Sequence, residues 1–234
     1  LHRSKLSHVP EELGYRYDNV TLPVAEGRWI KLWQVYSEPS KGLVIIVPGM
    51  DQNKGRYVPY LPIFVENGYD VILMDYEGYG ESPGESTLSN LVDDTLAACR
   101  YARSRHEKVI AFGVSLGTPL VARAAAELDF DGCIFEGTLI LGEEATLWLT
   151  DLTGSVPPIV SALADGYVLR QMPEDYDIRT YITRVTEPKL FIHSAEDEVT
   201  PLVGARLVYD AAPEPKQFWE VRGGHCRMAD LDRD

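Results

Sequence analysis

Residues 108–126, which read KVIAFGVSLGTPLVARAAA, decide the fold. Segment 108–114 is a short apolar run of the kind that forms a strand buried on both faces. The small, Ala-rich residues over 116–128 predict a helix. Between them, GVSLG at 113–117 matches G-x-S-x-G, in which a serine sits on a sharp strand-to-helix turn. The segment therefore predicts a nucleophile at Ser115, with an ordinary serine on a Gly-rich turn as the alternative.

The same alternation of strand and helix extends to both sides of this segment. Alternation of this kind predicts an α/β fold with a mostly parallel central sheet and helices on both faces. One helix is expected to begin at Thr200-Pro201, because Thr suits the N-cap and Pro the first helical position. Further strands are predicted at 28–37, 43–48, 70–75, 130–136, 188–193 and 216–221, and a further helix at 88–104.

The length of 234 residues fits one domain spanning 1–234. Residues 138–183 show no strand pattern and are interrupted by Pro157-Pro158. We expect this segment to form a small helical cap or lid inserted in the domain, with a long helical crossover as the alternative.

Charge and composition exclude several classes of partner. The net charge of −14 argues against nucleic acid and anionic membranes, since both require a basic patch. No apolar run approaches the roughly 18–20 residues of a membrane span. The three cysteines include no C-x-x-C pair, and no H-x-x-x-H is present, so we expect no metal, no cofactor and no disulfide framework. A reducing, cytoplasmic location is expected, although the chain begins at Leu1 without Met.

A serine nucleophile requires a base, and five histidines are available. His225 follows Arg222-Gly223-Gly224, directly after the last predicted strand. Adjacent glycines allow that loop to fold over the edge of the sheet where Ser115 is expected. His225 is therefore the predicted base, with a solvated loop histidine as the alternative.

The acid that orients the base is expected in the loop after strand 188–193. That loop offers Glu196, Asp197 and Glu198, among which spacing alone does not choose, and Glu136 is a lesser alternative. The oxyanion of the reaction needs two backbone N–H donors. We expect these from Leu116, which follows the nucleophile, and from Met50 in the loop after strand 43–48.

These motifs together resemble the α/β-hydrolase superfamily over nearly the whole chain, and its small serine esterases and thioesterases in particular. Residues 75–82, DYEGYGES, are similar to its D-x-x-G-x-G-x-S loop. Residues 193–201, HSAEDEVTP, are similar to its H-G-x-x-D-x-x-V-P acid loop, and this resemblance implies that Asp197 is the acid.

Four features depart from the superfamily's pattern. Ser194 and Thr200 differ from the acid-loop motif, and Pro48 stands where the superfamily usually has His before the oxyanion glycine. The superfamily also usually continues after the histidine into a final helix, which we expect to be incomplete here.

The resemblance implies hydrolysis of a carboxylic ester or thioester, a small-molecule acyl substrate, through an acyl-Ser115 intermediate. The same residues are compatible with amide or peptide hydrolysis, with acyl transfer, and with a catalytically silent fold used for binding. Leu139, Leu147 and Trp148 in segment 138–183 are candidates to line an acyl pocket, with packing of the cap onto the domain as the alternative. The sequence does not specify an oligomeric state.

Overall fold

A computed structural model describes residues 6–25, 27–50, 52–140 and 176–226. Eight strands form one sheet in the order β1-β2-β4-β3-β5-β6-β7-β8. The strands are β1 (Tyr17–Ala25), β2 (Arg28–Val35), β3 (Gly42–Val47), β4 (Tyr69–Asp75), β5 (Val109–Val114), β6 (Gly132–Glu136), β7 (Lys189–Ser194) and β8 (Lys216–Val221).

The sheet is mostly parallel, as the sequence predicts. Strands β3 and β4 pair in parallel, as do β6 with β7 and β7 with β8. Strand β2 runs against this direction, since it pairs antiparallel with both β1 and β4. All six residues of β3 are buried, which agrees with the continuous apolar run in its sequence.

The described residues include five α-helices and two short 3₁₀ helices. The α-helices are α1 (Leu61–Val65), α2 (Leu88–Arg105), α3 (Gly117–Ala125), α4 (Ile178–Ile182) and α5 (Leu202–Ala211), and the 3₁₀ helices are Pro10–Leu13 and Lys54–Tyr60. The hydroxyl of Thr87 caps α2 by accepting from the Asn90 amide at 3.2 Å.

Two sequence-based expectations are corrected. Strand β1 was not anticipated, because its residues alternate between exposed and half-buried positions and include Pro23, so they form no apolar run. Helix α5 does not begin at Thr200: its N-cap is Pro201, and no side chain caps it. The Thr200 hydroxyl donates to Asp197 instead. Most of the proposed cap, residues 141–175, lies outside the described residues.

The chain divides into two compact units, Leu1–Phe112 with Phe130–Gly132, and Gly113–Asp129 with Cys133–Asp234. In the first unit, a buried ion pair holds the loop that follows β4. Lys54 Nζ lies 2.5 Å from Asp75 Oδ2, and neither side chain is exposed to solvent. The Glu81 amide donates to the same carboxylate, and a Cβ on Gly80 would lie 2.3 Å from Asp75 Oδ2. These contacts explain why the D-x-x-G-x-G-x-S loop needs its aspartate and its second glycine.

A second buried carboxylate in the first unit, that of Asp94, has fewer hydrogen-bond partners. Asp94 Oδ2 accepts from the Glu77 amide at 2.7 Å, whereas Oδ1 has no hydrogen-bond partner among the described residues and lies 4.0 Å from Arg28 Nη2. Burial raises the pKa of Asp94 to about 7, and the Glu77 amide and Arg28 offset only part of that effect.

The raised pKa of Asp94 predicts that its ionised form destabilises the folded protein, so stability should depend on pH. The folded carboxyl binds its proton more tightly than the unfolded one, so stability falls as pH rises from about 4 to about 7. Asp94→Asn should therefore increase the free energy of unfolding at pH 8 by up to about 4 kcal/mol, and by much less at pH 4.5. Urea unfolding at both pH values measures this difference. An equal effect at the two pH values would contradict the assignment.

Candidate active site

Ser115 lies on a strained turn between β5 and α3. Its φ of 51° falls in the left-handed region, which a non-glycine residue adopts at a cost of about 1–3 kcal/mol. The amide of Ser115 donates to the Glu136 carbonyl at 2.8 Å, and its carbonyl accepts from the Thr118 amide at 2.9 Å. A Cβ on Gly113 would lie 2.5 Å from the Gly117 oxygen, so the strand and the helix meet here only because residue 113 is glycine. The predicted strand–turn–helix setting is therefore present.

Asp197 and His225 form a hydrogen-bonded pair in the second unit. His225 Nδ1 lies 2.7 Å from Asp197 Oδ2. Because a carboxylate accepts this bond, Nδ1 carries the proton when the imidazole is neutral, and Nε2 is the nitrogen that can act as a base. The Asp197 side chain is only 1% exposed, whereas that of His225 is 16% exposed.

Backbone and hydroxyl donors hold the Asp197 carboxylate. Its Oδ1 accepts from the amides of Val199 at 2.8 Å and Thr200 at 2.7 Å, and its Oδ2 accepts from Thr200 Oγ1 at 3.0 Å. Burial by itself raises the pKa of Asp197, but the bonds from His225 and from the two amides outweigh it and lower the pKa below its ordinary value. The carboxylate is therefore ionised at neutral pH.

The other carboxylates considered from the sequence lie elsewhere. Glu196 Oε2 accepts from the Gly223 amide at 3.0 Å, so it ties down the loop that carries His225. The Glu198 carboxylate lies beside Gly224, where a Cβ would be 3.1 Å from Oε1. Glu136 is 2% exposed, and its backbone carbonyl accepts from Ser115. Among these acids, the structure brings Asp197 against His225 Nδ1.

His225 Nε2 faces a cysteine. Cys226 Sγ lies 3.3 Å from this nitrogen, and Cys226 adopts a φ of 53°. Within residues 6–25, 27–50, 52–140 and 176–226, no hydrogen bond joins His225 Nε2 to Ser115 Oγ. Catalytic hydrogen bonds are often long or unformed in an enzyme without substrate. The structure thus contains a hydrogen-bonded carboxylate–imidazole pair and the strained turn at Ser115, and no bond joins the two among the described residues.

Gly137 allows the histidine loop to come close to the end of β6. Its φ is 62°, and a Cβ there would lie 2.4 Å from Cys226 Sγ and 2.9 Å from His225 Cε1. A side chain at residue 137 would therefore displace the His225 ring. No motif used in the sequence analysis includes this glycine, so sequence reasoning missed it.

Two buried tyrosines hold the loop that follows β3. Tyr57 Oη accepts from the Gly49 amide at 2.6 Å, and Tyr76 Oη donates to the Pro48 carbonyl at 2.9 Å. These bonds fix the Pro48-Gly49 backbone without the histidine that the superfamily usually places at residue 48. Buried tyrosines are ordinary core residues, so sequence reasoning had no signal from which to predict this role.

The two amides expected to stabilise an oxyanion have no hydrogen-bond acceptor among the described residues. Met50 follows Gly49 in the first unit, and none of the hydrogen bonds in the described part of the chain uses its N–H. The Leu116 amide, at the N-cap of α3 in the second unit, is likewise unused. A role of these two N–H groups in binding an oxyanion stays a prediction.

Of the three candidate pocket residues, one, Leu139, lies among the described residues. Leu139 is 2% exposed, and its amide donates to Thr118 Oγ1 at 3.0 Å, so it lies in the core beside the nucleophile's turn. Leu147 and Trp148 lie outside the described residues. An acyl pocket at these positions stays a prediction.

Within the part of the chain that the structure describes, no group of three or more His, Cys, Asp or Glu side chains is arranged to hold a metal ion. The same residues include no helix with the length and apolar character needed to cross a membrane.

The sheet and the Ser115 turn together define an α/β hydrolase. The family model described as serine aminopeptidase, S33, matches residues 38–173, more than half of the chain, and the protein belongs to that family. Among curated proteins, it is 25% identical over 226 residues to the uncharacterized protein YfhR of Escherichia coli K12, an alignment that covers 92% of this chain and 75% of that protein. It is also 25% identical to human ABHD12B over 163 residues, which is 64% of this chain and 43% of that protein.

Solved structures share the fold. The Pyrococcus furiosus esterase Pf2001 aligns with a TM-score of 0.80 and 15% identity, over 98% of this chain and 91% of the esterase. The esterase EaEST from Exiguobacterium antarcticum aligns with a TM-score of 0.67 and 16% identity, over 91% of this chain and 94% of the esterase.

The tyrosine support of the Pro48-Gly49 loop can be tested with Tyr57→Phe. This change leaves the buried Gly49 amide without its acceptor, which should cost about 1–3 kcal/mol of stability. Hydrolysis of p-nitrophenyl acetate should fall about ten-fold, because the loop that carries Met50 loses its anchor. Tyr101→Phe is the matched control, because it removes the hydroxyl of another tyrosine, which donates to Gln34 at 2.9 Å. Equal rates in the two variants would contradict a role for Tyr57 in the loop.

Proposed function

We propose that this protein is a serine hydrolase that cleaves a carboxylic ester or thioester through an acyl-Ser115 intermediate. The observation that carries the proposal is the 2.7 Å bond between His225 Nδ1 and Asp197 Oδ2 in the same unit as the left-handed turn at Ser115. A hydrogen-bonded acid and base, together with a serine held on a strained turn, are what nucleophilic catalysis at an acyl carbon requires.

The proposed reaction begins when His225 Nε2 removes the proton of Ser115 Oγ, while Oγ forms a bond to the acyl carbon. The carbonyl oxygen becomes an oxyanion, which the amides of Leu116 and Met50 are proposed to stabilise. The imidazolium then gives its proton to the leaving alcohol or thiol as the bond to the acyl carbon breaks. A water molecule, deprotonated by His225, then attacks the acyl carbon. The bond from that carbon to Ser115 Oγ breaks, Oγ takes the proton back from His225, and the acid is released.

Asp197 is proposed to hold the base in its reactive form. Its carboxylate accepts from Nδ1, which directs Nε2 toward the reacting proton, and its negative charge stabilises the imidazolium that forms. The lowered pKa of Asp197 keeps this charge present throughout the neutral range.

The family description gives a second candidate, amide-bond cleavage at a peptide N-terminus, because the matching model is named for a serine aminopeptidase. Both reactions use the same three residues and differ only in the leaving group, which is an amine for the peptidase. Esterase activity is favoured here because solved relatives of the same fold are described as esterases. The substrate is proposed to be a small acyl compound with a short to medium chain, bound by segment 138–183.

The chemistry can be tested with a panel of acyl esters, thioesters and aminoacyl amides of varied chain length. The wild-type protein should turn over esters fastest and react with a fluorophosphonate at Ser115. Ser115→Ala should lose both the labelling and at least about 10³-fold in kcat, because the nucleophile is removed. Ser104→Ala, at an exposed serine of α2, is the matched control and should behave as wild type. Turnover by Ser115→Ala at the wild-type rate would refute the proposal.

The role of His225 predicts a rate that rises with pH. Only a neutral imidazole accepts the Ser115 proton, so kcat/KM measured between about pH 5 and pH 8 should increase with pH. Because the pKa of Asp197 is lowered, its carboxylate is already ionised there and adds no second ascending step. Steady-state rates on an uncharged ester measure the profile. A flat profile across this range would exclude His225 as the base.

A further inference from the structure

The acid loop contains two hydroxyl residues where the superfamily's motif has glycine and valine, Ser194 and Thr200. Ser194 Oγ donates to the Gly223 carbonyl, in the loop that carries His225, and accepts from the Glu196 amide at 3.0 Å. Thr200, which is 2% exposed, donates to the acid itself. Both departures therefore make polar contacts within the candidate site.

Thr200 bonds both oxygens of the Asp197 carboxylate. Its amide donates to Oδ1 at 2.7 Å, and its hydroxyl donates to Oδ2 at 3.0 Å. The oxygen that receives the hydroxyl is the same one that accepts from His225 Nδ1, and Thr200 Oγ1 lies 3.4 Å from that nitrogen. With a donor on each oxygen from one residue, the carboxylate plane is held against rotation about its Cβ–Cγ bond.

We propose that Thr200 is a positioning residue, whose buried hydroxyl fixes the Asp197 carboxylate in the plane that receives the His225 imidazole. The role for catalysis rests on the proposed function, in which His225 is the base. A valine at this position would keep the backbone donor to Oδ1 and leave Oδ2 held by His225 alone. The acid and base could then turn together, and fewer molecules would present Nε2 in the reactive direction.

A second histidine fixes the backbone of Thr200. His193 Nε2 lies 2.9 Å from the Thr200 carbonyl, and because a carbonyl only accepts, Nε2 carries the proton. The His193 side chain is fully buried, and burial lowers its pKa, so the ring is neutral and has a single N–H. That N–H donates to the Thr200 carbonyl, so His193 does not donate to the Asp197 carboxylate, whose Oδ2 lies 3.7 Å from His193 Nε2.

The charged groups around Thr200, Asp197 and His225 lie on three elements. His193 belongs to β7, Glu196 and Glu198 to the loop that follows it, and Arg206 to α5, from which it acts on His193 electrostatically. Cys226 flanks His225 on the other side of the ring. None of these side chains donates a hydrogen bond to the Asp197 carboxylate among the described residues, so the side-chain hydroxyl of Thr200 has no substitute there.

The test compares Thr200→Val, which has nearly the same shape without the hydroxyl, with Thr200→Ser, which retains it. Thr200→Val should lower kcat about ten-fold, the effect of one lost bond to a charged group, with KM within about two-fold of wild type. Thr200→Ser should restore kcat to within about three-fold. Ser37→Ala, which removes a buried hydroxyl bonded to the Val65 carbonyl at 3.0 Å, is the control and should leave kcat unchanged.

A readout that does not depend on turnover separates this proposal from the proposed function. The downfield proton resonance of His225 Nδ1–H, assigned by its loss in His225→Gln, should broaden in Thr200→Val through faster exchange with solvent. It should keep the wild-type width in Thr200→Ser and in Ser115→Ala.

Each outcome decides between the two ideas. The same line width and kcat in Thr200→Val and wild type would overturn the positioning role, as would the absence of the resonance from the wild-type protein. Hydrolysis that survives in Ser115→Ala would overturn the proposed function, while the line widths would still decide whether Thr200 holds the acid–base pair.

Discussion

The left-handed turn at Ser115 is the constraint on which the rest of the site depends. A non-glycine residue at φ 51° is stable only when its surroundings compensate for the strain. Here the Glu136 carbonyl accepts from the Ser115 amide, and Thr118 bonds the Ser115 carbonyl twice, through its amide and its hydroxyl. Gly113 supplies the space, since a Cβ there would lie within 2.5 Å of Gly117. The turn directs the serine away from strand geometry and starts α3 at the same point.

The acid and the base depend on a different kind of support, because each is held by a loop. Asp197 receives three hydrogen bonds from Val199 and Thr200 in addition to the one from His225. The histidine loop is tied to the acid loop through Glu196 and Ser194, which bond the amide and the carbonyl of Gly223. Hydrogen bonds of this number and kind offset the burial of a carboxylate and keep it ionised. The alignment of Asp197 with His225 thus follows from a network of hydrogen bonds that includes Glu196, Ser194 and Thr200.

The loop after β3 shows how one substitution in a motif is compensated elsewhere. Proline at residue 48 has no side-chain donor or acceptor, so it cannot make the bonds that a histidine makes. Tyr57 and Tyr76 instead bond the N–H and the C=O of the one peptide group that joins Pro48 to Gly49. The conformation of the loop therefore rests on tyrosine hydroxyls that come from later segments of the chain.

The sequence by itself determined the fold class, the positions of most strands along the chain and the strand–turn–helix setting of Ser115, because apolar periodicity and paired glycines are local signals. Spacing favoured one loop for the acid, with Glu136 as a lesser alternative, and did not choose among Glu196, Asp197 and Glu198. The resemblance to the superfamily implied Asp197. Only the tertiary structure places Asp197 against His225, gives Thr200 to the acid rather than to the cap of α5, and brings Gly137 beneath the base. These decisions depend on distances between segments far apart in the chain, for which a single sequence carries no local pattern.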